Sequence, residues 1–321
     1  MKISIAMATY NGAKHIEAQL QSFITQEHLP DELVVSDDDS TDGTVALVEA
    51  FAKYAPFPVI IVRNRKNLGY AGNFNVALEK TMGDIVFLSD QDDVWYPNKI
   101  AHMLAQAEQK PDYLIYMNDA ALTDGNLNTV NLTKYGQIKS CGLSDEAFVM
   151  GCCCAIRREL LNFTLPIPSG LKSHDNWFVE IADGLSAKLI EREVLQYYRR
   201  HGNNESQFIA NRLTRVSRLN LYAEGIKNAF SAKAADITYM QDHINLFVEG
   251  LKSANSKVPM HYQSAFSNMI ENRTHVLALL KRRSQVRQAS LFARILKVVK
   301  LVILGYPKGK RLNHAVRDII G

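Results

Sequence analysis

Cysteine is scarce in this chain and badly placed for crosslinking or metal capture. Four occur in 321 residues, Cys141 and the consecutive Cys152, Cys153 and Cys154. Neighbours in one strand cannot adopt disulfide geometry, and no paired C-x-x-C spacing offers a zinc site. They read as small buried side chains of a protein kept in a reducing cytoplasm. No apolar run reaches the roughly 18 to 20 residues that span a bilayer. The chain opens on a strand-like run, Ile3 to Met7, without a charged segment before it or a small-residue cleavage site after it, so no signal peptide is expected. No G-x-G-x-x-G follows a strand, and neither G-x-x-x-x-G-K-[ST] nor a G-x-S-x-G elbow occurs, which disfavours dinucleotide oxidoreductases, P-loop enzymes and serine hydrolases.

What is present is a large apolar core and an uneven charge. Apolar residues make up 47% of the chain and aromatics 9%, enough for one core plus an appended region. The net charge of +4 hides a division: residues 281–321 hold eleven Lys or Arg against the single acid Asp318, so that segment carries +10 and the rest −6.

The first hundred residues alternate short apolar runs with helical patterns. Strands are expected at Ile3 to Ala8, Glu32 to Ser36, Val59 to Arg63 and Asp84 to Ser89, with helices at Ala13 to Gln26, Thr44 to Tyr54 and Ala71 to Thr81. Repeated β-α-β order with wholly apolar strands implies an α/β fold whose parallel sheet is covered on both faces. Further strand-like runs lie at Tyr113 to Met117 and Ala147 to Ile156, a helix follows Asp175, and from about Gln207 the pattern is helical. This predicts a catalytic domain over 1–205 and a helical region over 206–321.

Ligands of such sheets bind beyond the carboxyl ends of the strands. The polar clusters fall there: Thr9-Tyr10-Asn11-Gly12, Asp37-Asp38-Asp39, Arg63 to Gly69, and Asp90 to Asp93. Asp90 and Asp92 form a D-x-D pair after Ile85 to Ser89. In extended backbone i and i+2 point the same way, so both could converge on one divalent metal, whereas a solvated acidic turn would look alike. Asp37 and Asp38 could accept hydrogen bonds from a base or ribose, with Ser40 or Asp42 capping the next helix.

Taken in order, Met7 to Gly12, Asp37 to Gly43, Asn67-Leu68-Gly69 and Phe87 to Trp95 make the chain resemble glycosyltransferase family 2, in particular its bacterial rhamnosyltransferase-like members acting on surface polysaccharides. The resemblance covers roughly 1–205. It implies a GT-A fold, a nucleotide-sugar donor (dTDP-rhamnose or a UDP-hexose), Mg²⁺ or Mn²⁺, and inversion at the anomeric carbon. It also implies donor contacts from Thr9, Tyr10, Asn11, Asp37, Asp38, Asn67 and Asp90, and a metal ligand in Asp92. His174-Asp175-Asn176-Trp177 resembles the family's base motif, which makes Asp175 the catalytic base; the residue-level alternative is a helix cap. Tyr198 to Asn204 resembles the loop that folds over the donor, with His201 as metal or phosphate ligand and Arg199 and Arg200 as diphosphate contacts. Asp39 departs from the pattern, standing where Gly is usual, as does Ser36, where an aliphatic residue is commoner.

Leu291 to Leu304 places Arg294, Lys297 and Lys300 three apart along an apolar helix, the pattern of a helix lying on anionic lipid, whereas an ordinary helix packed on the catalytic domain would look alike. The expected partners are therefore a glycan or lipid-linked acceptor and the inner membrane surface, not nucleic acid, with the protein cytoplasmic and peripheral. Two rival readings remain, a sugar nucleotidyltransferase and a non-catalytic sugar-nucleotide-binding component of an assembly complex.

Overall fold

The computed structural model of the protein describes residues 1–202, 208–231, 234–288 and 291–304. Asn203 and Asn204, which close the Tyr198 motif, and residues 305–321 of the basic tail lie outside the described residues. The chain divides into two compact units, Met1–Leu221 and Tyr222–Gly321.

The first unit begins with β1 (Ile3–Thr9), α1 (Ile16–Ile24), β2 (Glu32–Asp37), α2 (Thr44–Ala52), β3 (Val59–Arg63), α3 (Gly69–Lys80) and β4 (Ile85–Ser89). All seven residues of β1 and all five of β4 are buried, as wholly apolar strands covered on both faces require. These four strands form a parallel half-sheet in the order β3-β2-β1-β4. Helix α1 turns Ile16, Leu20 and Phe23 inward, where Phe23 meets Trp95 edge-on at 4.8 Å.

The rest of the unit supplies β5 (Val94–Trp95), α4 (Lys99–Gln109), β6 (Ile115–Thr123), β7 (Thr129–Thr133), α5 (Lys134–Ser140), β8 (Cys154–Arg157), α6 (Arg158–Thr164), α7 (His174–Gly184) and β9 (Lys188–Arg199). The sheet continues β4-β8-β6-β9-β5, with β7 on β6. Strand β8 runs antiparallel to both neighbours, so the sheet is parallel in its first half and mixed in its second. This curled α/β sheet with its helical C-terminal region is the GT-A architecture.

Residues 147–156 do not form the continuous strand that their apolar run suggests. Short 3₁₀ turns at Asp145–Ala147 and Gly151–Cys153 precede β8, so Cys152 and Cys153 lie in a turn and only Cys154 in the strand. An unbroken apolar run reports burial without reporting conformation. All four cysteines are free and buried.

Compactness in the first unit persists beyond residue 205, because Ile209 and Val216 bury against Cys141 and Gln137 Nε2 donates to the carbonyls of Arg212 and Thr214. Helix α8 (Arg218–Ser231) leads into the second unit, which continues with α9 (Ala234–Ala254), α10 (Gln263–Arg287) and α11 (Leu291–Leu304). The α9–α10 hairpin has Phe247, Leu251, Phe266 and Leu280 buried. Among the described residues no helix is long and apolar enough to cross a membrane.

The start of β4 passes so close to β1 that a side chain at Gly83 has no room: a Cβ there would lie 2.6 Å from the Ser4 backbone nitrogen and 2.5 Å from its Oγ. Gly83→Ala should therefore cost about 1–3 kcal/mol in denaturant unfolding, as overpacked cores do. A change under about 0.5 kcal/mol would show that the strands separate freely there.

Candidate active site

Beyond the C-terminal ends of β1, β2 and β4 the polar loops hold one another. Backbone N–H groups of the first loop donate to side chains of the second: Asn11 to Ser40 Oγ (2.8 Å), Gly12 to Thr44 Oγ1 (2.8 Å) and Ala13 to Asp42 Oδ2 (3.0 Å). Thr41 N–H returns a bond to Asn11 Oδ1 (2.9 Å). Gln91 clasps the first loop from the third, accepting from Tyr10 N–H and donating to Tyr10 C=O, both at 2.9 Å. That clasp needs Gly12, whose Cβ would fall 2.1 Å from Gln91 Oε1. Asp39 keeps the left-handed turn expected of glycine, with φ +68°; Asp tolerates this region better than most side chains.

Asp37 and Asp38 do different things. Asp37 is buried and accepts from Thr9 Oγ1 (2.7 Å), Ser40 N–H (2.9 Å) and Ser40 Oγ (2.6 Å), which fixes the turn. Asp38 accepts from Asn64 Nδ2 (3.0 Å) and from the N–H groups of Leu68 (2.8 Å) and Gly69 (2.9 Å), so its charge sits at the start of α3.

The acidic turn after β4 also separates by role. Asp93 is fully buried, and its oxygens accept from Gln196 Nε2 (3.0 Å) and Arg199 N–H (3.1 Å). Arg199 in turn donates to the Asp92 carbonyl (2.6 Å) and the Gly125 carbonyl (2.7 Å). Asp92 Oδ2 lies 2.7 Å from His201 Nε2, whose ring stacks on His15 at 5.1 Å. Asp90 accepts from Tyr70 OH at 2.6 Å. Burial, with the Asp92 charge adding to it, raises the Asp90 carboxyl to about 7.

One cleft of about 1230 Å³ runs along this edge. Of the residues singled out in the sequence, Thr9, Tyr10, Asn11, Asp38, Asn67, Asp90, Asp92, Asp175 and His201 line it, whereas Asp37, Arg199 and Arg200 do not. Arg200 lies 3.3 Å from Tyr198 OH through Nη1. Asp175, in the first turn of α7, accepts through Oδ1 from Ser173 Oγ and from Asn176 N–H. Beside it His174 is fully buried and stacked on Phe74 at 3.9 Å, and neither ring nitrogen has a hydrogen-bond partner among the described residues.

Sequence reading passed over several lining residues. Gln91 sits inside the acidic motif itself, but its clasp on Tyr10 is a tertiary fact. Tyr70, His15, Lys134 and Asn211 carry no local signal: Tyr70 and Lys134 open helices, His15 lies in a loop and Asn211 in a 3₁₀ turn, and they reach the cleft only through the fold.

Two sets of side chains in this region offer donors to a divalent cation. Asp92 and His201 lie on the cleft wall with a carboxylate oxygen and an imidazole nitrogen side by side, a fit for Mg²⁺ or Mn²⁺. Asp90, Asp93 and Cys152 bring ligand atoms within 4.8 Å of one another, but both Asp93 oxygens are engaged and burial pushes the Asp93 carboxyl and the Cys152 thiol well up toward their protonated forms. That trio does not suit a hard cation.

Residues 4–164 match the family model of glycosyl transferase family 2. The chain is 29% identical over 215 residues to an uncharacterized glycosyltransferase of Nostoc, covering 64% of this chain and 66% of that protein. It is 30% identical over 223 residues to the dTDP-rhamnosyl transferase RfbG of Shigella flexneri, covering 62% and 73%. The alignments thus span about two thirds to three quarters of these relatives' length. In fold it is similar to S. aureus TarS 1–349, solved in complex with UDP-GlcNAc, with a TM-score of 0.53, 20% identity and coverage of 88% and 92%.

Burial lowers His174 to about 4, with the Asp175 charge opposing. The unfolded chain therefore takes up this proton first, so folding stability is complete above about pH 6.5 and falls as pH drops toward 4, by up to about 3 kcal/mol. His174→Leu should remove that part of the acid sensitivity. Equal losses for both proteins between pH 7 and 4.5, measured by urea unfolding, would contradict the assignment.

Proposed function

Starting from a chain that belongs to glycosyl transferase family 2, we propose that it transfers a sugar, with inversion, from a nucleoside diphosphate donor to a hydroxyl of a glycan or lipid-linked oligosaccharide during bacterial surface polysaccharide synthesis. The observation that carries this reading is the cleft at the strand ends, whose lining gathers Asp38 and Asn67, the Asp92–His201 pair and Asp175. RfbG's use of a dTDP-rhamnosyl donor and the UDP-GlcNAc bound to TarS favour dTDP-rhamnose or a UDP-hexose as the donor.

In this scheme the donor nucleoside lies against Thr9, Tyr10, Asn11, Asp38 and Asn67. Asp38 keeps lone pairs beyond those used at α3 and accepts from base or ribose, while Asp37 acts through the turn it fixes. Asp92 and His201 would hold Mg²⁺ or Mn²⁺, which supplies the positive charge that offsets the departing diphosphate. Arg199 keeps the Asp92 backbone in place, and Arg200, which does not line the cleft, adds positive charge from behind its wall. Asp90, held by Tyr70, faces the donor ribose. Asp175 takes the proton of the acceptor hydroxyl as its oxygen bonds to the anomeric carbon and the bond from that carbon to the diphosphate oxygen breaks. The hydrogen bonds from Ser173 and Asn176 both fall on Asp175 Oδ1, which leaves Oδ2 for this task.

Asp92→Ala and Asp175→Ala should each lower transfer by about 10²-fold or more with the melting temperature kept, as loss of a metal ligand or a general base does. A panel of dTDP-rhamnose, UDP-glucose, UDP-galactose and UDP-N-acetylglucosamine, read by Mn²⁺-dependent hydrolysis and thermal stabilisation, identifies the donor. Unchanged transfer in both folded variants would refute the roles given to these two residues.

A cytoplasmic, peripheral position on the inner membrane follows from the same reading, since a lipid-linked acceptor is presented there. Helix α11 supports it: Ile295, Leu296 and Val299 are exposed beside the exposed Lys297. The full chain should float with vesicles containing anionic phospholipid, and the double variant Leu296→Glu, Lys297→Glu should stay in the soluble fraction. Equal flotation of the two would remove the membrane role.

A further inference from the structure

Lys134, the first residue of α5, is 3% exposed yet lines the cleft. Its Nζ donates to Asn211 Oδ1 and sits 4.8 Å over the Phe208 ring. Asp119 and Asp175 are close enough for their charges to act on it or be acted on by it, but neither pairs with it, and Asp119 Oδ1 is engaged by the N–H groups of Ala120 and Tyr135. Among the described residues no carboxylate forms an ion pair with Lys134. Among the described residues this ammonium is met by an amide oxygen and a ring face, with no opposite charge in contact to offset its desolvation. Burial accordingly brings its titration down to about 8. Lys99 makes the contrast: equally buried, it donates to the Cys152 carbonyl and Gln196 Oε1 within the interior and does not face the cleft. Lys99 is finished as a structural cation, and Lys134 is not.

The sheet order says which substrate would complete it. The nucleoside loops follow β1 and β2, the acidic turn follows β4, Asp175 packs against Gly151 just before β8, and Lys134 follows β7, which pairs with β6 on the edge that β8 also uses. Lys134 therefore lies in the part of the cleft beside Asp175, separated in the sheet from the nucleoside loops by β4 and β8. We infer that Lys134 seats an oxyanion of the acceptor, a sugar carboxylate or a phosphate ester close to the hydroxyl that is glycosylated. This rests on the transferase reading and narrows it to acidic acceptors. Lys172 also lines the cleft.

The full chain, with and without the nucleoside diphosphate that stabilises it, is titrated with glucuronate and with glycerol phosphate, glucose serving as the neutral control. Wild type should bind one of the two oxyanions with the nucleotide in place, and the one preferred identifies the acidic group. Lys134→Met should weaken that binding tenfold or more. Asn211→Asp, which gives Lys134 an internal counter-ion, should weaken it as well while raising the melting temperature. Neither oxyanion binding to wild type, unchanged affinity in both variants, or oxyanion binding abolished by the nucleotide would each overturn the inference, the last by moving Lys134 to the donor diphosphate. Failure of the transferase reading is seen separately, as the absence of stabilisation by any nucleotide tested.

Discussion

Asp93 is a carboxylate sealed from water, and the way it is satisfied locates most of the cleft. Its oxygens accept from the side chain of Gln196 and the backbone of Arg199, both on β9, a strand a hundred residues away in sequence. Gln196 is also the acceptor for the buried Lys99, so the acid, the amide and the lysine form one interior network. A buried group left without such partners would cost several kcal/mol, so the turn after β4 and the end of β9 are held as a unit. Once they are, Arg199 reaches the Asp92 carbonyl and His201 falls beside the Asp92 carboxylate.

The rim at the ends of β1 and β2 is built differently. Its loops have few backbone partners of their own, and side chains supply them: Asp37, Asp38, Asp42, Ser40, Thr44 and Gln91 each accept a backbone N–H from within or across loops. The polar residues that look like ligand contacts in the sequence therefore serve first to rigidify the rim. Rigid loops hold substrate groups in place without ordering cost at each turnover.

Much of the fold was legible because it obeys simple periodicity. Strands β1 to β4 are short apolar runs ending in polar clusters, and the helices between them place Ile16, Leu20 and Phe23, or Val48 and Phe51, on one face. Strand β9 was not legible. Its first half, Lys188 to Glu193, mixes charged and apolar residues and is only partly buried, so neither alternation nor an apolar run marks it. The run from Ala147 to Ile156 failed in the opposite way, being apolar throughout and yet turned twice before it becomes a strand. Gly151 allows that turn, since a Cβ there would sit 2.6 Å from His174 Nε2.

By itself the sequence determined that the chain carries a parallel α/β half-sheet with acidic and polar clusters at its carboxyl edge, because strand burial and loop polarity are local properties of residue type. It also determined which motifs occur together, and so the family. Only the tertiary structure decided which of those residues face the cleft. It turned Asp37 and Asp93 inward, where hydrogen bonds from Thr9, Ser40, Gln196 and Arg199 compensate their burial, and left Asp38, Asp92 and Asp175 on the wall. It also brought Lys134 and Asn211 together across 77 positions, a pairing set by packing that no local pattern encodes.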